Sequence, residues 1–211
     1  AASVDEEVYA AVRTGADGAE LWRTRLEGHG EATDLAVATT GGEATGIAVT
    51  GHFYGSQGID GSVTMLDLDG ERLWHRTYGN PAGGVHEFAG LDEGSPALIF
   101  DECWGVQPTD RGGVVIACGT GIEGCGEHVL NGRLRRECRR DPRTKWRALL
   151  IEVDASGEEL WHRTDSYYFE GETEAAESAS EYVVPARDGG FASVVDQDFG
   201  IGLMLLEPFD P

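Results

Sequence analysis

Apolar residues fall in short runs separated by glycine and acid. Five examples are Asp34-Leu-Ala-Val-Ala38, Gly46-Ile-Ala-Val-Thr-Gly51, Val114-Val-Ile-Ala-Cys-Gly119, Glu181-Tyr-Val-Val-Pro185 and Phe191-Ala-Ser-Val-Val195. Short β-branched runs bounded by turn residues predict strands. Tyr167-Tyr168-Phe169 and Glu170–Glu181 read as an aromatic anchor and an acidic linker, with a short helix as the alternative there, and no apolar run reaches the roughly 18 residues that span a bilayer.

Three segments repeat one another: Gly15-Ala-Asp-Gly-Ala-Glu-Leu-Trp22-Arg-Thr, Leu66-Asp-Leu-Asp-Gly-Glu-Arg-Leu-Trp74-His-Arg-Thr77 and Val153-Asp-Ala-Ser-Gly-Glu-Glu-Leu-Trp161-His-Arg-Thr164. Each reads as a strand, a turn ending in Gly, and a strand that opens Leu-Trp. The Gly supplies the positive φ of a tight hairpin. A ring recurring at one offset predicts packing between neighbouring repeats. A second element alternates with the first, as Thr39-Thr-Gly-Gly42, Thr109-Asp-Arg-Gly-Gly113 and Arg187-Asp-Gly-Gly190. The unit is therefore strand, Gly-Gly turn, strand, loop, strand, Asp-Gly turn, strand with Trp. Four antiparallel strands per unit is the pattern of a β-propeller blade.

The expected architecture is a single all-β, propeller-like repeat domain over 1–211, as a partial or small ring with two long inserted loops. Residues 6–26 make half a blade, 30–78 a blade, 101–166 a blade interrupted by an insertion at 121–147, and 180–208 a partial blade. The other insertion, Gly79–Phe100, reads as a long loop over one face. These strands are too few for a ring of about four blades, so a longer polypeptide, a small or open ring, or a second subunit is implied.

The pattern "Asp-Gly-Gly, apolar strand, Gly… Leu-x-x-Asp-x-x-Gly-x-x-x-Trp" resembles the repeats of bacterial β-propeller proteins of the quinoprotein-like and Asp-Gly-Gly kind. It covers most of the chain outside the insertions. The resemblance implies a fold more than a function, because these families include dehydrogenases, assembly scaffolds and surface proteins. A quinoprotein-like dehydrogenase would need a ring of cofactor ligands with a metal site, and no such ring maps onto these residues.

Composition narrows the partners. The 211 residues include 38 acids against 16 bases, a net charge of −22. Such a surface repels phosphate, which excludes nucleic acid and anionic membrane as partners. Lys145 is the one lysine among the bases, and an acid-rich, lysine-poor surface stays soluble at high salt. The 31 glycines are about twice the ordinary share of roughly 7%, in keeping with many turns.

Half of the bases stand together: Arg133, Arg135, Arg136, Arg139, Arg140, Arg143, Lys145 and Arg147. A positive loop on an acidic body predicts contact with a negative partner, either another protein or a second copy. The competing reading folds the loop back on its own blade.

Cys103 and Cys118 flank the Thr109–Gly113 turn nearly opposite each other, so a disulfide between them is expected. Cys125 and Cys138 then staple the insertion, with Cys118–Cys125 as the rival pairing. Disulfides place the protein outside the reducing cytosol: secreted, periplasmic or in an organelle lumen. A structural zinc on Cys118, Cys125, His128 and Cys138 is a lesser alternative, since the spacing matches no usual knuckle. Asp67-Leu-Asp69-Gly70-Glu71 begins like a calcium loop and lacks the later ligands, so turn-forming Asp is preferred. No cofactor is predicted.

No nucleophile elbow, Ser-His-Asp order or zinc-binding His pair is present. His75 and His162 share one repeat position, which favours a structural or surface role. No catalytic residue is assigned. The reading is a non-catalytic binding or scaffold subunit that meets a protein partner through its insertions. The alternative is carbohydrate or small-ligand binding by Trp104, Trp146, Tyr167 and Tyr168. A partial quinoprotein-like oxidoreductase is the further alternative.

Overall fold

The structure, a computed structural model, describes residues 9–28, 30–55, 58–79, 85–86, 97–122, 146–165, 177–197 and 200–207. All regular structure among them is β-strand. In chain order the strands are β1 (Ala10–Thr14), β2 (Glu20–Arg25), β3 (Glu31–Thr40), β4 (Glu43–Gly55), β5 (Gly58–Leu66), β6 (Arg72–Tyr78), β7 (Val85–His86), β8 (Ala97–Pro108), β9 (Val114–Ile122), β10 (Arg147–Val153), β11 (Glu159–Asp165), β12 (Ser178–Pro185), β13 (Phe191–Gln197) and β14 (Gly200–Leu206).

Strands adjacent in sequence pair antiparallel. β1 and β2 form a hairpin, β3 to β6 a four-stranded meander, β8 to β11 a second meander, and β12 to β14 a third sheet. The two meanders join along one sheet through the parallel pair Ile59–Phe100 and the bridge Thr40–Arg111. The segment expected as a long loop before Phe100 contains more order than that: β8 begins at Ala97 and is met by β7.

Five turns share one geometry, spanning 15–19, 67–71, 109–113, 154–158 and 186–190. In each, the fourth residue donates back to the first carbonyl and the first residue donates to the fifth. The fourth residue is always Gly with φ between 81° and 87°. This is a type I turn closed by a left-handed glycine. An Asp side chain tightens four of them: the Asp67 carboxylate accepts from Asp69 and Glu71, the Asp154 carboxylate from Ser156 and Glu158, Asp17 from Ala19, and Asp188 from Gly190. The would-be calcium loop is thus a turn whose Asp67 oxygen already holds backbone N–H groups. The two turn elements that look distinct in sequence are the same in space, with one exception. Gly41 and Gly42 both have positive φ, and Thr40 pairs with Glu43, a two-residue turn.

The sheets stack face to face. On β9, Val114, Ile116 and Cys118 pack against the first meander, while Val115 and Ala117 pack against the third sheet. On β10, Leu149, Ile151 and Val153 face the first side and Leu150 the other. β9 and β10 are therefore covered on both faces, which is why they run largely apolar without alternation. Each Val, Leu or Ile buried this way contributes about 1.5–3 kcal/mol. The hairpin covers Val49, Leu66 and Ile47 of the first meander with Ala11, Leu26 and Trp22.

The repeated tryptophans join one repeat to the next. Trp22 Nε1 donates to the Leu68 carbonyl at 3.1 Å, and Trp74 Nε1 to the Ala155 carbonyl at 2.9 Å. Both acceptors are the second residue of the next repeat's turn. The turn glycine lies under the ring: a Cβ on Gly70 would stand 2.7 Å from Trp22, and one on Gly157 3.0 Å from Trp74. The Gly70 and Gly157 carbonyls also accept from Thr24 and Tyr78 hydroxyls of the preceding repeat. Burial holds the Tyr78 hydroxyl well above its ordinary pKa. Trp161 differs: it donates to its own neighbour Glu152 at 2.6 Å and stacks on Phe191, with ring centroids 5.4 Å apart.

Cys103 and Cys118 are opposed on β8 and β9 and joined by a disulfide, with Cα atoms 4.0 Å apart. The bond is buried between the two meanders. It overturns the rival Cys118–Cys125 pairing and takes Cys118 out of the zinc set. Cys125, His128 and Cys138 lie outside the described residues.

Candidate functional site

Two β-bulges build the site. Cys103 pairs with Cys118 and Gly105 with Ala117, so Trp104 is the extra residue on β8. Ser180 pairs with Val195 and Tyr182 with Val194, so Glu181 is the extra residue on β12. A bulged residue leaves the ladder and its side chain is re-aimed. The bulges lie against each other, because a Cβ on Gly105 would stand 2.8 Å from the Glu181 carbonyl.

Trp104 and Glu181 line one open cleft of about 350 Å³, together with Glu102, Trp146, Glu177, Ser178, Ala179, Asp196 and Gln197. Trp146 precedes β10 and lies across Gly119 and Gly121, where added Cβ atoms would come within 2.9 and 2.8 Å of it. Its carbonyl accepts from the Ser178 N–H at 2.9 Å, which ties the start of β12 to the cleft wall. The Trp104 and Trp146 rings are 6.4 Å apart and inclined at 44°. Behind them, His52 meets Trp104 edge-on at 6.0 Å. Burial lowers the His52 pKa, opposed by the Glu31 carboxylate 3.6 Å from Nδ1.

The cleft is acidic, with Glu102, Glu177, Glu181 and Asp196 around its wall. Burial, and then the charge of Asp196, raises the pKa of Glu181. Glu181 and Asp196 repel each other, and a cation entering here would offset that repulsion beside two indoles. Among the described residues, no three His, Cys, Asp or Glu stand together as a metal-binding group.

The structure thus brings together Trp104 and Trp146, two of the aromatics expected to bind ligand. Tyr167 and Tyr168 lie outside the described residues. So do Arg133, Arg135, Arg136, Arg139, Arg140, Arg143 and Lys145. Arg147 does not belong to a loop: it opens β10, paired with Thr120. His75 and His162 share a repeat position but not an environment. His75 lies half-buried with Nδ1 2.9 Å from the Thr64 hydroxyl, whereas His162 is exposed beside Glu159 at 2.7 Å. The four carboxylates carried no sequence signal in a chain so rich in acid. The Gly119-Thr-Gly121 spacing was the available clue, since glycines on one face of a strand mark a close approach.

No family model and no curated protein matches this chain.

Proposed function

We propose that this chain is a non-catalytic binding subunit and that the Trp104–Trp146 cleft takes a cationic group, such as an organic ammonium or a basic side chain of a protein partner. The observation that carries the reading is the convergence of two tryptophans and four carboxylates on one cleft. Antiparallel meanders stacked face to face and tied by repeated tryptophans support a propeller-like array as its frame. The buried disulfide supports a location outside the reducing cytosol, secreted, periplasmic or lumenal. The basic run Arg133–Arg147 remains the proposed contact for an acidic partner or a second copy. Reversing Arg135, Arg136, Arg139 and Arg140 to Glu should abolish that assembly.

Calorimetric and NMR titration test the cleft, using tetramethylammonium, lysine- and arginine-bearing peptides, and a panel of neutral oligosaccharides. Binding of the cations is expected, weakened by salt and lost in Trp104→Ala. Neutral oligosaccharides bound in the cleft, with cations ignored, would replace this reading by carbohydrate recognition. No binding from either group would overturn the cleft as a ligand site.

A further inference from the structure

The outer face of the third sheet is apolar and open. Tyr182, Val184, Val194, Ile201, Leu203 and Leu205 are all exposed. Cross-strand pairing aligns Tyr182 with Val194 and Leu203, and Val184 with Ala192 and Leu205. Met204 and Leu206, which alternate with these on β14, face the second meander instead. Side chains alternate along a strand, so the exposed set forms one continuous surface.

The corresponding face is covered elsewhere in the molecule. Registered from the strand pairs, Leu203 and Leu205 of β14 hold the positions of Val63 and Met65 on β5. Val63 and Met65 are 0% and 3% exposed, packed against the second meander, whereas Leu203 and Leu205 are 69% and 72% exposed. The second meander likewise covers this face, through Val115, Ala117 and Leu150. Three consecutive sheets therefore present the same apolar face in the same direction; on the third, Tyr182 at the edge accepts from Gln107 Nε2 at 2.7 Å, while Leu203 and Leu205 stay open among the described residues.

The opposite end presents the matching face. On the hairpin, Ala11 and Trp22 face the first meander, so Val12, Arg23 and Arg25 face away. Val12 and Leu21 are exposed there. Leu35 and Val37 on β3 are also exposed, on the face of the first meander that the hairpin covers at Val49 and Ile47. Charge favours this end over a second copy of the third sheet. The third sheet carries Glu181, Asp188 and Asp196 against Arg187, so two such sheets repel. The hairpin balances Arg13, Arg23 and Arg25 against Asp17, Glu20 and Glu27.

We infer that the open face of the third sheet docks the hairpin end of a second copy of this chain, head to tail, continuing the stacking that already joins its sheets. The sheet side of the contact is apolar, the hairpin side sets Val12 beside Arg23 and Arg25, and the two bodies are acidic, so salt strengthens the contact by screening their repulsion. It is heterologous, which allows a closed ring or an open chain of copies.

Sedimentation velocity over a range of protein concentrations, at low and at molar salt, tests this. The wild type should associate beyond the 22.6 kDa monomer, more at high salt. Leu203→Asp on the sheet and Val12→Asp on the hairpin should each weaken association by at least about tenfold, as central contacts of an interface do. Both positions are exposed, so far-UV circular dichroism and melting should match the wild type; Leu205→Lys repeats the test if Leu203→Asp does not fold. Mixing the two variants should give heterodimers that grow no further, since each copy then offers one sound face. A wild type monomeric under every condition overturns the inference. Association by Val12→Asp as strong as wild type overturns the hairpin as the occupant. Cation binding at the cleft should be unaffected by Leu203→Asp and Val12→Asp, so the two readings fail separately.

Discussion

Gly61 lies on β5 directly beneath the disulfide. A Cβ built there would stand 2.2 Å from Cys103 Sγ. Ordinary contact needs about 3.5–4.0 Å. Backbone on β5 is fixed by pairing with β4 and β6, and the sulfur is fixed by its bond, so neither side yields freely. Overpacking of this kind costs about 1–3 kcal/mol. Alanine restricts the unfolded chain and returns about 0.4–1 kcal/mol. Gly61→Ala should therefore destabilise by about 1 kcal/mol, which lowers the melting temperature of a chain this long by about 2–4 °C. The control is the Cys103→Ala/Cys118→Ala background. Losing the bond across a sequence separation of 15 costs about 3 kcal/mol, within an ordinary stability reserve of about 5–15 kcal/mol. There the nearest remaining atoms are the Cβ at position 103 and the Tyr78 carbonyl oxygen, each 3.4 Å away, and the penalty should nearly vanish. Urea melts of the four proteins give a coupling of about 1–2 kcal/mol between glycine and disulfide. Equal losses in both backgrounds would refute the steric argument.

Gly18 and Gly157 share a positive φ, but a Cβ on Gly18 meets nothing, whereas one on Gly157 meets Trp74. Gly18→Ala should cost about 1 kcal/mol of backbone strain, and Gly157→Ala measurably more with a shifted tryptophan emission. Trp161→Phe leaves the buried Glu152 carboxylate without its indole donor and should cost about 1–3 kcal/mol by urea melt. Adding Glu152→Met, the residue found at the matching position 65, should recover most of that loss. In the cleft, Glu181 carries a raised pKa in the folded state, so its contribution favours folding in acid and is lost as pH rises through that pKa. Glu181→Gln should therefore keep or slightly raise stability at neutral pH while weakening cation binding. Wild-type cation affinity should fall as pH drops through the raised pKa, at a higher pH than for an ordinary carboxylate, read by calorimetry across pH.

The repeat was legible because tight turns need glycine and because one tryptophan stands at a fixed offset from each. The disulfide followed from strands counted outward from the 109–113 turn. The cleft was not legible. Trp104 and Glu181 reach it by slipping one residue in register, and nothing in Cys103-Trp104-Gly105 or Ser180-Glu181-Tyr182 announces a bulge. Packing between two sheets places them. The likeness of the Thr39–Gly42 and Thr109–Gly113 turns misleads for a related reason. Both are Gly-Gly in sequence, but one uses two left-handed glycines and the other one. The exposed face of β14 is also invisible in a run such as Leu203-Met-Leu-Leu206, because the sequence does not say which side a neighbour covers.

The tryptophan contacts have a direction. Trp22 reaches forward to the turn at Leu68, and Trp74 to the turn at Ala155, never the reverse. A repeat built this way carries a donor for its successor and an acceptor for its predecessor. A tandem duplication of residues 30–78 would therefore meet a compatible neighbour on either side at once, with no compensating change. Such an array can lengthen by copying whole units of gene sequence. Trp161, turned onto its own Glu152, marks the unit after which that rule of inheritance changes.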